Sequence, residues 1–157
     1  MSAISLQLEF QGHWTIGTIG LIPDASGVYC VYECRSSGGE NPEMQRLLYI
    51  GEAENAREDV VRQDDLDLWR QSIADENQLC FTFAPVASDV RKRAYAALLF
   101  EFSPPLNKPL IHIQGIGRPA TDEVRFFPFD KTVLKISGMA MLLKSRVVAE
   151  NEGPAGS

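Results

Sequence analysis

Short stretches rich in alternating, β-branched and aromatic residues recur along the chain, which is typical of strands with a buried face. Residues 28–34, 46–50 and 79–86 are therefore predicted to be strands. Residues 3–10 and 13–22 alternate more loosely and predict a hairpin or two short edge strands. The amino-terminal half of the chain is thus expected to build most of a small sheet.

Helical patterns lie between and after these strands. Asn55 is a suitable N-cap for a helix that runs to about residue 62, and residues 66–73 place Leu66, Trp69 and Ile73 on one helical face. Ser88 is predicted to cap a third helix over residues 90–102, which the pair Pro104-Pro105 ends. Beyond residue 107 the pattern predicts further strands near residues 110–113 and 124–129, a helix near 139–147, and a disordered tail over 150–157.

The composition is that of one globular domain. The chain has 157 residues, of which 45% are hydrophobic and 23% charged. No apolar stretch approaches the roughly 20 residues of a membrane helix, and the first ten residues lack the pattern of a secretory signal. Three cysteines are too few for a disulfide scaffold, so we expect reduced thiols in a cytoplasmic protein. The cysteines and the two histidines lack metal-ligand spacing, so no metal site is expected.

The charge is distributed unevenly. The net charge is −6, with −10 over residues 1–90 and +4 over residues 91–157. Residues 52–67 alone carry −5. Proteins that bind nucleic acids usually present a basic surface, so this distribution disfavours nucleic acid as a partner. The basic triplet at residues 91–93 is more simply the solvated first turn of a helix.

Two tripeptides suggest a family. Gly27-Val28-Tyr29 follows Ile22-Pro23, and Tyr49-Ile50-Gly51 follows after a variable loop; Asn55 and Asn107 come later at suitable distances. In this order the features resemble the GIY-YIG nuclease superfamily over residues 22–110. The resemblance implies an α+β (α/β-class) fold, a small central antiparallel sheet flanked by helices. We therefore predict one GIY-YIG-like domain over residues 1–149, with this core and additions at both ends.

The same resemblance implies a catalytic site for phosphodiester hydrolysis, with one divalent metal ion. Tyr29 and Tyr49 match the family's two tyrosines. The arginine that stabilises phosphate charge corresponds to Asp59, the histidine that follows it to Gln63, and the metal-binding glutamate of the later helix to Tyr95. Three positions that carry the chemistry thus hold the wrong type of side chain.

Neighbouring residues offer limited compensation. Arg62 lies about 60° from Asp59 around a helix and could reach the arginine site, whereas Arg57 lies on the opposite face. We predict a remnant cleft that is no longer catalytic, formed by Tyr29, Tyr49, Asp59, Arg62, Tyr95 and Asn107. The simpler alternative for the two strand tyrosines is that they are aromatic neighbours closing a small core.

The first functional hypothesis is an inactive domain, with no cofactor, that binds a basic protein as an inhibitor, an immunity protein or an assembly module. Its binding face would be acidic, formed by Glu52, Glu54, Glu58, Asp59, Asp64, Asp65 and Asp67. The second is a divergent, active endonuclease that uses Mg²⁺ and cuts DNA. A third, weaker hypothesis is a module that binds branched DNA without cutting it.

Overall fold

The structure, a computed structural model, describes residues 4–36, 42–107 and 132–139. The stretches predicted at 110–113 and 124–129, nearly all of that at 139–147, and the tail at 150–157 lie outside these residues. A single sheet organises the described part of the chain. Its strands are β1 (Ile4–Thr15), β2 (Gly27–Arg35), β3 (Glu43–Ala53), β4 (Gln78–Pro85) and β5 (Thr132–Gly138).

The strand order across the sheet is β3-β2-β4-β1-β5. Strand β2 is antiparallel to β3 on one side and to β4 on the other, with Tyr29 opposite Gly51 and Phe83. The two motif strands are therefore adjacent and antiparallel, which confirms the predicted α+β arrangement around a central antiparallel sheet. Strand β5, which the sequence did not reveal, extends the sheet by pairing in parallel with β1.

The prediction of a hairpin or two short edge strands at the amino terminus is wrong. Residues 4–15 form one long strand, and Ile16–Leu21 continue as a 3₁₀ helix. The two halves of β1 serve different neighbours, since residues 4–10 pair with β5 and residues 11–15 with β4. Alternation along the sequence predicts extended backbone but does not reveal that a strand changes partners halfway.

Three helices flank the sheet: α1 (Ala56–Val61), α2 (Leu66–Gln71) and α3 (Ser88–Phe102). The Asn55 side chain accepts a hydrogen bond from the Glu58 amide, so the predicted cap is confirmed. The predicted Ser88 cap is wrong, because Ser88 is already the first residue of α3 and Ala87 is the N-cap. The Ser88 hydroxyl instead donates to Glu54 Oε2 at 2.7 Å. Helix α3 ends as predicted just before the proline pair, with Ser103 in the left-handed conformation.

Apolar side chains cover both faces of the sheet. The larger cluster lies under α3 and includes Val28, Ile50 and Leu98. The second cluster lies on the opposite face under α1 and α2, around Tyr29 and Trp69. Trp69 is only 1% exposed, which confirms its prediction as a core residue. Because β2 is covered on both faces, all but its last residue are buried, and its side chains supply both clusters.

The glycines of both motifs allow close aromatic packing. A Cβ atom at Gly51 would lie 2.5 Å from the Tyr29 hydroxyl oxygen, and one at Gly27 would lie 2.6 Å from the ring of Phe83. Neither position therefore accepts a side chain without movement of a buried ring. The motif glycines are thus explained by packing in this chain, independently of catalysis.

The expectation of reduced thiols is wrong for two of the three cysteines. Cys34 on β2 and Cys80 on β4 form a disulfide, whereas Cys30 is free and buried. Cys80 lies opposite Tyr32, so the bond crosses diagonally between neighbouring strands. The sequence separation of 46 residues concealed this pairing, since only the sheet register brings the two thiols together.

None of the helices in the described part of the chain has the length and apolar character needed to cross a membrane.

Candidate functional site

The two motif tyrosines lie on the same face of the sheet. Their ring centroids are 6.2 Å apart, and the Tyr49 ring also packs against Trp69 at 4.8 Å. Tyr29 is fully buried, while Tyr49 is half-buried at the border of the second cluster. The pair therefore contributes to an aromatic core, and only Tyr49 is in part open to solvent.

Helix α1 fixes the hydroxyl of Tyr29. This hydroxyl donates to Asp59 Oδ2 at 2.6 Å, and Gln63 Nε2 donates to the same hydroxyl oxygen at 3.2 Å. Asp59 lies in α1, whereas Gln63 lies two residues beyond its end, so the helix and the segment that follows it both bind the hydroxyl. Asp59 and Gln63 are the two positions at which the family resemblance implies an arginine and a histidine. Here an acid and an amide occupy them and bind a tyrosine.

The pKa of Tyr29 lies well above the usual range. Burial is the largest cause, and the hydrogen bond to Asp59 and the negative charges nearby act in the same direction. The pKa of Tyr49 is also raised, chiefly by burial and then by the carboxylates of Asp59 and Asp65. Both phenols are therefore neutral near pH 7, and neither is poised to accept a proton.

A second group of charges lies where α3 approaches the end of β3. Arg91 Nε donates to Glu52 Oε1 at 2.6 Å, and its Nη1 donates to Glu54 Oε1 at 2.7 Å. Ser26 Oγ also accepts from Nη1 at 2.9 Å, and Lys92 Nζ lies 3.3 Å from Glu52 Oε2. Arg91 is only 9% exposed. Its predicted role as part of a solvated basic face is therefore wrong.

These groups border one open cleft of about 580 Å³. Of the seven acids predicted to form a binding face, five line this cleft: Glu52, Glu54, Glu58, Asp59 and Asp64. Asp65 is not in the lining and acts on Tyr49 through its charge, and Asp67 lines a second depression next to Arg70. The predicted face is thus divided between two surfaces, and Arg91 neutralises part of it from within.

The predicted remnant cleft assembles only in part. Asp59 and Arg62 line it, and Tyr29 lies beneath it. Arg62 is largely exposed and lies 3.7 Å from Glu58 Oε1, so it points to a carboxylate. The placement of Tyr95 is wrong, because its side chain packs against the cluster under α3, on the opposite face from Tyr49.

The error at Tyr95 has a simple geometric cause. Arg91 and Tyr95 lie on the same side of α3 but about 6 Å apart along its axis, so only the amino-terminal turn of the helix reaches the cleft. The residue of α3 that lines the cleft is Arg91, one turn before Tyr95. The signal that could have identified it is its place in the first turn of a helix whose later positions Ala94 and Leu98 are apolar.

Asn107 has a structural partner outside the cleft lining. Its Oδ1 accepts from the Ile50 amide and its Nδ2 donates to the Ile50 carbonyl, both at 2.8 Å. These two bonds replace those that a neighbouring strand would make with the outer edge of β3. Asn107 therefore closes the edge directly beside the second motif.

The residues in the cleft do not fit the metal ion that the family resemblance implies. Arg91, a cation, is the side chain that α3 supplies to the lining, and it occupies oxygens of Glu52 and Glu54. Of the other three carboxylates in the lining, Asp59 accepts from Tyr29 and Glu58 lies 3.7 Å from Arg62 Nη1. Within the described ranges, no cluster of three or more histidine, cysteine or acidic residues is arranged to hold a metal ion.

Comparison with known proteins gives matches among solved structures. No known family description matches the chain, and no curated protein does. The chain is similar to two crystal structures of the GIY-YIG N-terminal endonuclease domain of UvrC from Thermotoga maritima, both tyrosine-to-phenylalanine mutants bound to the catalytic divalent cation. The identities are 20% and 21%, the TM-score is 0.38 in both cases, and each match covers 59% of this chain and 93% of the other.

Proposed function

We propose that this protein is a catalytically inactive GIY-YIG-like domain that binds a basic protein partner through its acidic cleft. The observation that carries the proposal is the hydrogen bond between the Tyr29 hydroxyl and Asp59. It places a carboxylate where a phosphate-binding arginine is implied, and that carboxylate holds the tyrosine in its neutral form.

The charge near Tyr29 opposes phosphodiester cleavage. A phosphate in this cleft would meet five carboxylates and two arginines, Arg62 and Arg91, a net negative charge within the screening length of about 8 Å at physiological salt. Loss of a single group that stabilises transition-state charge typically lowers a rate by about 10²–10³. Replacing such a group with a negative charge reverses the sign of the interaction, so we expect no cleavage above background.

The same charges favour a cationic protein surface. Residues 52–67 carry −5, and the sum becomes −3 when Arg91 and Lys92, which contact Glu52, are included. Glu58 and Asp64 are exposed at the rim of the cleft. Acidic rims of this kind accelerate association with basic partners and make binding sensitive to salt. An inhibitor, an immunity protein or an assembly module could each use such a surface.

A cleavage assay tests the inactive state. The purified chain is incubated with supercoiled plasmid and with single-stranded DNA, in Mg²⁺ and in Mn²⁺, beside the Tyr49→Phe variant. We expect no metal-dependent product from either protein. Cleavage by the natural chain that Tyr49→Phe abolishes would instead establish the alternative, a divergent endonuclease acting on DNA.

A matched pair of charge variants tests the binding surface. Glu58→Gln with Asp64→Asn removes two rim carboxylates, whereas Asp75→Asn with Glu76→Gln removes two exposed carboxylates outside the cleft. Proteins that the natural chain captures from a cell extract are purified, and their binding to the natural chain and to both variants is titrated by calorimetry. We expect a basic partner and roughly tenfold weaker binding to the first variant, about 1.4 kcal/mol. Equal binding to both variants would refute the acidic cleft as the interface.

A further inference from the structure

The Arg91 guanidinium is unusually well enclosed for a charged group. Its three shortest contacts, to Glu52, Glu54 and Ser26, are all between 2.6 and 2.9 Å. They join three segments: the end of β3, the loop before β2 and the first turn of α3. Buried ions persist only when opposite charges and hydrogen bonds compensate them, and Arg91 has both. The contacts of Arg91 therefore hold these three segments together.

A guanidinium and a divalent cation use the same acceptor atoms. A metal ion held by Glu52 and Glu54 would need carboxylate oxygens at about 2.0–2.6 Å, and Arg91 already binds one oxygen of each residue. The remaining oxygens are also engaged, since Glu52 Oε2 lies 3.3 Å from Lys92 Nζ and Glu54 Oε2 accepts from Ser88. All four carboxylate oxygens thus have donors from α3.

We infer that Arg91 is a built-in counter-ion that takes the place of a divalent metal ion in this cleft. The cation is covalently part of α3, so chelation or dilution cannot remove it. It holds the end of β3 against the helix and keeps the two carboxylates closed to metal. This inference goes beyond the proposed function, because it holds whichever partner the cleft binds.

Protonation does not release the counter-ion. The pKa of Arg91 is raised further, chiefly by its hydrogen bonds to Glu52 and Glu54. The pKa of Glu54 is lowered by its hydrogen bonds from Ser88 and Arg91. The Arg91 guanidinium and the Glu54 carboxylate therefore remain charged across the ordinary range of pH. Only substitution removes the positive charge, which makes the inference testable by mutation.

The test uses three variants of the whole chain. Arg91→Met removes the charge and keeps much of the side-chain volume, and Arg91→Lys keeps a cation. Arg93→Met removes the same charge from the same helix at a side chain that donates to Thr132 instead. Each variant and the natural chain are titrated with Mn²⁺ and with Ca²⁺ by calorimetry, and thermal unfolding is followed with and without each ion.

We expect Arg91→Met alone to bind Mn²⁺ or Ca²⁺, with an apparent Kd of about 1 mM or tighter, the range of weak carboxylate sites. Its unfolding temperature should rise with either ion, because a ligand of the folded state stabilises it. If Arg91→Met folds only when an ion is present, the result supports the inference more directly. Titration of the natural chain, Arg91→Lys or Arg93→Met should give no heat of specific ion binding.

Binding of Mn²⁺ or Ca²⁺ by the natural chain would overturn the inference, and so would equal binding by Arg93→Met and Arg91→Met. An Arg91→Met protein that binds neither ion, or that stays unfolded in the presence of each ion, would also overturn it. Each is distinct from failure of the proposed function, which is measured by DNA cleavage and by partner binding. A chain that binds no metal yet fails to bind a basic protein would refute the proposed function and leave the counter-ion role supported.

Discussion

Replacing Asn107 with alanine should destabilise the edge of the sheet beside the second motif. Asn107 is 9% exposed, and its side-chain amide makes two hydrogen bonds of 2.8 Å to the amide and carbonyl of the fully buried Ile50. Alanine removes both bonds and leaves a backbone donor and a backbone acceptor without their partner. Water can reach them only if the chain near residue 107 moves away from β3.

The expected loss follows from the number of groups left without partners. A buried backbone group deprived of its partner costs about 1–3 kcal/mol. Partial entry of water reduces this cost, so two such groups predict a loss of about 2–4 kcal/mol in the free energy of unfolding. That loss is a large fraction of the roughly 5–15 kcal/mol that stabilises an ordinary domain.

Urea unfolding and amide hydrogen exchange measure the two consequences separately. Urea unfolding of Asn107→Ala gives the total loss, and exchange of the Ile50 amide reports on the edge itself. Asn107→Asp is the matched control, because its carboxylate can still accept from the Ile50 amide but cannot donate to the Ile50 carbonyl. The aspartate variant should keep the Ile50 amide protected, while the alanine variant should not.

A small effect would refute this account of Asn107. If Asn107→Ala costs less than about 0.5 kcal/mol and the Ile50 amide exchanges as in the natural chain, the two hydrogen bonds do not hold the edge. If both variants lose protection equally, the side-chain oxygen is not the partner of the Ile50 amide. Either result would remove Asn107 from the structural support of the motif.

Three further predictions test the packing around the cleft. Gly51→Ala should lower the free energy of unfolding in urea by about 1–3 kcal/mol, because its Cβ would strike the Tyr29 ring. Gly20→Ala, whose Cβ would have no neighbouring atom within 4 Å, should cost far less, and equal losses would contradict the packing argument. The free energy of unfolding should fall as the pH rises above about 10, because the unfolded chain loses the phenol proton that the buried Tyr29 keeps. Tyr29→Phe should reduce this slope by up to about 1.4 kcal/mol per pH unit, and an unchanged slope would contradict the raised pKa. Replacing both Cys34 and Cys80 with serine should lower the free energy of unfolding by about 4 kcal/mol, given the 46-residue separation. Alkylation of the denatured natural chain should modify one cysteine, and three modified cysteines would contradict the disulfide.

The strands, helices and motif order could be predicted because they depend on local sequence. The β-branched and aromatic residues of β2, the Asn55 cap and the prolines after α3 act through neighbours a few positions away. The wrong residue types at positions 59 and 63 are likewise visible without a structure, since α1 follows the second motif with no intervening loop of variable length. Spacing is reliable there because only Glu54 and Asn55 connect the motif strand to the helix.

Errors arose where a feature depends on contacts between distant segments. Alternation in β1 could not show that β4 and β5 pair with different halves of the strand. The spacing of Cys34 and Cys80 could not show that β2 and β4 align them. Each outcome depends on sheet register, which is determined by burial of whole strand faces and not by the residues near one position.

The sequence by itself determined the class of fold, and it holds Asp59 and Gln63 where the family resemblance implies an arginine and a histidine. Only the tertiary structure decided that Arg91, and not Tyr95, faces the cleft, and that Glu52 and Glu54 are bound from within. Arg91 lies on the same side of α3 as the fully buried Ala94 and Leu98, so the packing of this side against the sheet also turns Arg91 inward. The position of α3 along the sheet then places Arg91 at the cleft and Tyr95 against the apolar cluster, and Arg91 can pair with Glu52 and Glu54 only in that position.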